Sequence, residues 1–221
     1  MMDINKPVTF AIVLKTGGEY YDYKYVNNIV EGIISNTNVP HRIVCLTDDK
    51  RGLSPDIDEV IRFKHNWPKW WGKIELFRPE LFKDEQVFFL DLDTFIVGCL
   101  DDILSYRGEF CALRDFYNLD VMASGVMSWC GNGVTRIYDE FIKNPEHFMK
   151  VHEVAGDQAF IRRWKPSVEY FQDRFPNQVI SYKVHCRAPE MALPNNARVL
   201  CFHGKPKPHE IRNNLQTYWK Q

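Results

Sequence analysis

No stretch of this chain approaches the roughly 18 consecutive apolar residues that a membrane-crossing helix needs. Met1 to Phe10 also lacks the charged-then-apolar order of a secretory leader. An excess of one charge is missing too. Lys plus Arg number 28 and Asp plus Glu 29, a net charge of −1. No global field therefore draws the chain to nucleic acid or to an anionic membrane, and any anionic ligand must be held by a local site. The six cysteines, Cys45, Cys99, Cys111, Cys130, Cys186 and Cys201, form no C-x-x-C pair, and most lie inside apolar runs. Buried free thiols are expected, and with them a reducing, cytoplasmic setting. Internal repeats, low-complexity tracts and flexible linkers are absent as well. With 221 residues, 45% of them hydrophobic, residues 1–221 are expected to form one domain with a sizeable core.

The patterns that are present alternate between strand and helix. Val8 to Leu14 is a continuous apolar run before Gly17-Gly18 and reads as a buried strand. Tyr25 to Ser35 carries Val26, Ile29, Val30, Ile33 and Ile34 at helical spacing. Arg42 to Thr47 and Glu59 to Phe63 read as strands, and Trp71 to Phe82 as a helix that Pro79 interrupts or ends. Gln86 to Leu90 is the strongest strand pattern in the chain. Further strands are expected at Glu109 to Leu113, Gly125 to Trp129 and Ala197 to Phe202, and helices at Gly133 to Lys143, at Gly156 to Trp164 and, weakly, from His209 onward. This order predicts an α/β fold with a mainly parallel sheet flanked by helices.

Directly after Leu90 come Asp91-Leu92-Asp93. Alternate residues of an extended segment point the same way, so both carboxylates project to one side at a strand's carboxyl end, where open α/β sheets place ligands. Two close carboxylates repel each other, and a divalent cation relieves the repulsion. Oxygen donors suit Mn²⁺ or Mg²⁺, which in turn bridges a diphosphate. The bland alternative is a solvated acidic turn. Several other residues complete such a site or have ordinary readings. His203-Gly204 follows the strand VLCF: the imidazole is a candidate metal ligand, and the glycine allows close approach of a phosphate. Lys205 and Lys207 alternate with Pro206 and Pro208, either as phosphate contacts or as solvated loop. Asp157-Gln158 opens a helix, either as an N-cap or as a polar pair at a reacting carbon. Ser124-Gly125 is either a turn or a close backbone approach to ligand. Lys73 is either a phosphate or donor contact or a surface lysine. Lys15, Thr16 and Asp48 end the first two strands, where a nucleotide would lie. Aromatics reach 14%, and Trp67, Trp70 and Trp71 cluster; indole faces pack well on sugar C–H faces and equally well fill a core.

Taken in order, FAIVL, VCLTD, the lysine of WWGKIELF, FFLDLDTFIV, SGVM, GDQAF and CFHGKPKP resemble the GT-A fold glycosyltransferases. The similarity is greatest to the glycogenin-like and lipopolysaccharide galactosyltransferase-like (family 8-type) group, and it runs from Phe10 to Pro208. The resemblance implies a GT-A, Rossmann-like domain and a nucleotide-sugar donor, usually a UDP-sugar. It also implies an acceptor that is a glycan, a lipid-linked sugar or a protein, and a retaining reaction. It places Mn²⁺ (or Mg²⁺) on Asp91, Asp93 and His203, the diphosphate on Lys207 with Lys205 second, and Asp157 and Gln158 near the anomeric carbon. Ala123 stands where the group has Asn before Ser-Gly, and His209 where it has Trp after Lys-Pro. Two rivals remain at this stage. One is a non-catalytic nucleotide-sugar or glycan-binding module. The other is a haloacid-dehalogenase-type phosphatase, whose D-x-D also follows an apolar strand but opens its fold.

Overall fold

The computed structural model describes residues 6–186 and 192–220. In chain order the strands and helices are β1 (Val8–Leu14), α1 (Tyr23–Asn36), β2 (His41–Thr47), β3 (Glu59–Arg62), β4 (Gln86–Leu90), β5 (Thr94–Ile96), β6 (Phe110–Arg114) and β7 (Met122–Cys130). There follow α2 (Thr135–Phe141), α3 (Pro145–Val151), α4 (Gly156–Trp164), β8 (Glu169–Tyr170), α5 (Phe171–Arg174), β9 (Val179–Ser181), α6 (Tyr182–His185) and β10 (Val199–Cys201). The strands form a seven-stranded sheet, β3-β2-β1-β4-β7-β6-β8, and a three-stranded sheet, β5-β10-β9. From β3 to β4 every pairing is parallel, as the alternation of strands and helices predicts; β7 then runs antiparallel to both β4 and β6.

Burial explains why the strand runs are so apolar. Gln86 to Leu90 is buried along its whole length, because β4 lies at the centre of the large sheet with cores on both faces. One face packs Phe10, Ile12, Phe88 and Leu90 under α1. The other packs Val87, Phe89, Trp129, Phe141 and Phe160. Each such side chain contributes roughly 1.5–3 kcal/mol by leaving water. Helix α1 starts where Asp22 accepts the N–H of Lys24, and it buries Tyr25, Val26, Ile29, Val30 and Ile33.

Three expectations need correction. Trp71 to Phe82 is not an α-helix: Lys69–Phe77 is a 3-10 segment, and Arg78, held extended before Pro79, ends it. Ser124-Gly125 is not a turn before a strand but lies inside β7, opposite a register shift between Ala112 and Leu113 of β6. The tail from His209 is not an α-helix but two short 3-10 turns, Pro208–Glu210 and Asn214–Tyr218. The expected thiols hold in the main: among the described residues no disulfide joins the six cysteines, with Cys45, Cys111, Cys186 and Cys201 buried, Cys130 half-buried and Cys99 exposed.

The 3-10 segment is fixed by a buried carboxylate. Glu75 accepts the backbone N–H groups of Lys64 (2.6 Å), His65 (3.0 Å) and Asn66 (3.2 Å) and pairs with the buried Arg78 guanidinium at 3.0 Å. Removing it strands three donors and leaves the buried Arg78 with only the half-exposed Glu80, 3.4 Å away, as a partner. Glu75→Ala is expected to lower the unfolding free energy by about 3 kcal/mol or more, which equilibrium urea denaturation would measure. A loss within experimental error would show that the loop is held by other means.

Candidate active site

Asp91-Leu92-Asp93 is the hinge by which the chain leaves the large sheet at β4 and enters the small one at β5. Its backbone is pinned. Asp91 N donates to Gly125 O (2.8 Å), Phe202 N to Asp93 O (2.8 Å), and Thr94 Oγ1 to Asp91 O (2.8 Å). Leu92 points into the core. The pair stands at the carboxyl end of β4, between its parallel neighbour β1 and its antiparallel neighbour β7; open α/β sheets form their ligand crevice at such a switch point.

Each carboxylate already has a lysine. Lys73 Nζ, only 6% exposed as a residue, lies 2.9 Å from Asp91 Oδ1 and 3.1 Å from Asp157 Oδ2. Ser124 Oγ donates to Asp157 Oδ2 (3.1 Å) and accepts from Lys73 (3.4 Å). Burial alone would push the Lys73 ammonium down, but Asp157 and Asp91 override it and hold it well above its ordinary value. Burial, with Asp93 and Asp157 as like charges, pushes the Asp91 carboxyl up in spite of Lys73. On the other side, Lys207 Nζ pairs with Asp93 Oδ2 at 2.7 Å and also donates to the Tyr21 hydroxyl, which itself donates to Asp93 Oδ2 (2.9 Å).

The remaining expected residues divide. Lys15, Thr16 and Asp48 do meet, at the ends of β1 and β2: Lys15 pairs with Asp48, and Thr16 N donates to Asp48 Oδ1 (2.9 Å). Burial raises the Asp48 carboxyl, yet these hydrogen bonds keep it below the usual carboxylate range. Asp157 is not an N-cap; Ala155 is the cap residue, and Asp157 sits in the first turn of α4, 6% exposed and turned onto Lys73. Gln158 is half-buried in the same turn. Gly125 lies against Asp91, where an added Cβ would come 3.5 Å from Asp91 Oδ2. Gly204 adopts φ 75°, the left-handed region that favours glycine. Lys205 is exposed and reaches the Tyr20 ring, 5.5 Å from its centroid, rather than the acidic pair. His203 stacks on Phe116 (centroids 5.6 Å apart) and shares a 2.7 Å hydrogen bond with Ser181 Oγ. Burial and Lys183 hold its pKa below the ordinary histidine value, so the ring is neutral near pH 7.

Two carboxylates and a neutral imidazole are a donor set that Mn²⁺ or Mg²⁺ accepts. Among the described residues, no group of three or more His, Cys, Asp or Glu stands assembled as a cation site. Asp91 leans on Lys73, Asp93 on Lys207 and His203 on Ser181. The residues fit such an ion in kind, and each would have to exchange its present partner to hold one.

Sequence reasoning missed Tyr21, Ser181 and Phe116 as neighbours of the site. Tyr21 lies in the Tyr20 to Tyr25 segment, whose density of tyrosines is the one available signal. Asp115 accepts the N–H groups of Tyr117 (2.8 Å) and Asn118 (2.9 Å) and shapes a turn.

No family model and no curated protein sequence matches the chain. Solved structures do. The galactosyltransferase LgtC, in complex with donor and acceptor sugar analogs, matches with a TM-score of 0.66 at 11% identity, over 96% of this chain and 94% of its own. The glycosyltransferase GlyE of Streptococcus pneumoniae TIGR4 matches with a TM-score of 0.65 at 15% identity, over 96% of this chain; its apo form gives 0.59. This chain spans 59% of the GlyE chain. At these identities the likeness is one of fold, and the fold is the GT-A-like one that the sequence resemblance implies.

The Asp91–Lys73–Asp157 cluster is a unit, which a double-mutant cycle would measure. Lys73→Met leaves two inward carboxylates without their cation and is expected to lower stability, and adding Asp157→Asn should recover part of that loss. The coupling between the two sites is expected at about 1–3 kcal/mol in thermal or urea unfolding. Strictly additive effects would show that the three groups act separately.

Proposed function

We propose that the chain is a glycosyltransferase that moves a sugar from a nucleotide-sugar, a UDP-sugar, to an acceptor hydroxyl on a glycan, lipid-linked sugar or protein. The observation that carries this reading is the convergence of Asp91, Asp93, Lys73, Lys207 and Asp157 at the carboxyl end of β4, in a fold shared with glycosyltransferases. Lys15, Thr16 and Asp48 lie where the adjoining strands β1 and β2 end and would receive the nucleoside. Asp91, Asp93 and His203 would hold a divalent ion, Mn²⁺ or Mg²⁺, which supplies positive charge to the diphosphate as it becomes a leaving group.

The chain's own groups account for the rest of the chemistry. Lys207 is a preset point charge, tethered by Asp93 and the Tyr21 hydroxyl and poised to exchange the carboxylate for a phosphate oxygen. It stabilises the negative charge that builds as the sugar–phosphate bond breaks. Lys73 and Ser124 hold the Asp157 carboxylate in position, through an ion pair at 3.1 Å and a hydrogen bond at 3.1 Å. There it would face the positive charge that develops on an oxocarbenium-like anomeric carbon. The acceptor oxygen bonds to that carbon as the diphosphate leaves with the acceptor's proton. Retention of configuration is the outcome that the family resemblance implies.

The test is binding and slow hydrolysis of a panel of nucleotide-sugars, with Mn²⁺ and with chelator. Metal-dependent binding of one donor, followed by transfer, is expected. Lys207→Ala should reduce turnover of that donor about 100-fold or more, and Asp93→Asn should remove the metal dependence while the circular dichroism spectrum stays native. No binding of any donor under either condition would overturn the assignment.

A further inference from the structure

The three tryptophans of residues 67–71 have different fates. Trp67 and Trp71 are buried and pack on Phe141, at centroid distances of 4.7 and 5.2 Å. Trp70 keeps 43% of its surface open to solvent. A scattered exposed aromatic is ordinary and needs no explanation. Three features set this one apart.

First, Trp70 and Lys73 are three residues apart in a 3-10 segment, which brings i and i+3 onto one edge. The indole therefore stands on the edge that carries the Lys73 ammonium, and with it Asp91 and Asp157. Second, its five-membered ring lies over Gly156. A Cβ at that position would come within 2.9 Å of the indole Nε1 and 3.2 Å of Cδ1 and Cε2, and Gly156 also has φ 68°. Only glycine lets the ring settle beside the residue that precedes Asp157. Third, the loop that presents the ring holds Asn66 at φ 56° and Lys69 at φ 54°. Non-glycine residues rarely adopt this region, and two within four positions persist only where surrounding structure imposes them. Here the Glu75 carboxylate fixes the backbone at residues 64–66. The indole is thus placed by strained backbone, a required glycine and a buried carboxylate, at the outer edge of the acidic crevice.

We propose that Trp70 is the platform of a pyranose subsite, on which an acceptor sugar lays its C–H face with its hydroxyl directed toward Asp157. Lys69 Nζ lies over the ring, 5.5 Å from its centroid; the sugar would displace this exposed ammonium from the indole face and take it as the donor for a ring hydroxyl. That the sugar is an acceptor rests on the transferase reading; that the indole receives a pyranose does not.

The experiment uses the full chain labelled with nitrogen-15 at its indoles, with the Trp70 resonance assigned by its loss in Trp70→Phe. UDP is titrated first. Methyl galactoside, methyl glucoside and methyl N-acetylglucosaminide follow, with sorbitol as the open-chain control. At least one methyl pyranoside is expected to move the Trp70 signal saturably, and sorbitol is not. Trp70→Ala should weaken that pyranoside about 10-fold or more, while UDP binds as before. A Trp70 signal unmoved by every pyranoside, in protein that binds UDP, overturns the platform and leaves the transferase reading standing. A pyranoside-dependent shift in protein that binds no nucleotide-sugar supports the platform and removes the transferase reading.

Discussion

A lysine ammonium buried between two carboxylates is the constraint around which this molecule is built. Taking Lys73 out of water costs several kcal/mol unless its donors are matched by acceptors, and here Asp91, Asp157 and Ser124 all stand within 3.4 Å of Nζ. Meeting that requirement dictates local structure on three sides. Residues 69–77 wind as a tight 3-10 segment that carries Lys73 against the sheet. Strand β7 departs from register with β6 at the point where Ser124 and Gly125 must face the crevice, and such irregularities serve to re-aim side chains. Helix α4 begins on a left-handed glycine, so that Asp157 enters its first turn pointing inward.

The same requirement splits the acidic pair. Asp91 is satisfied from within by Lys73, whereas Asp93 is satisfied from the C-terminal segment by Lys207 and from the segment just before α1 by Tyr21. Tyr21 stands edge-on to Tyr25, which hydrogen-bonds His209 and packs against Trp219. A chain of aromatic contacts therefore ties residues 207–219 to the acidic centre. Repulsion between the two carboxylates is relieved by two separate cations whose backbones are far apart in sequence. That is a different solution from one ion shared by both, and the two solutions compete for the same oxygens.

Much of this was legible in the sequence because it obeys local rules. β1 and β4 begin and end where the apolar runs do, since a strand buried on both faces is apolar except where a partner is at hand, as Glu85 is for Thr9 and Ser128 for Gln86. The acidic pair was legible because it follows the strongest such run. Lys73 was ambiguous: a lysine inside WWGKIELF reads equally well as a surface residue, and only the tertiary fold supplies the carboxylates that bury it. The 3-10 segment was misread as α-helix because its apolar spacing over nine residues fits both periods; Pro68 before it and Pro79 after it leave too little length for an α-helix to gain from propagation. Asp157 was weighed as a cap because Asp favours helix N-termini, a preference that the attraction of Lys73 overrides. Tyr21 carries only the weak signal of a tyrosine-dense segment, since its role depends on a lysine 186 positions away.

The position of the acidic pair between two sheets explains how such a crowded site could still change partners. The backbone of residues 91–94 is held by bonds to Gly125 and Phe202 and by the Thr94 hydroxyl, none of which involves a carboxylate. Strand geometry fixes where the two side chains start, while their oxygens are engaged by long, flexible lysines and, at Asp93, by the Tyr21 hydroxyl. An anionic ligand entering the crevice would face no backbone rearrangement. It would compete with Asp93 for the Lys207 ammonium, an exchange that breaks one ion pair, whose side chains are 10% and 15% exposed, and leaves the Lys73 cluster intact. Within that cluster Lys73 and Asp157 are 7% and 8% exposed, whereas Asp91, at 35%, opens toward solvent. The arrangement therefore divides two roles: Lys73 sets the orientation of Asp157, and Lys207 is the cation placed to meet the ligand's charge.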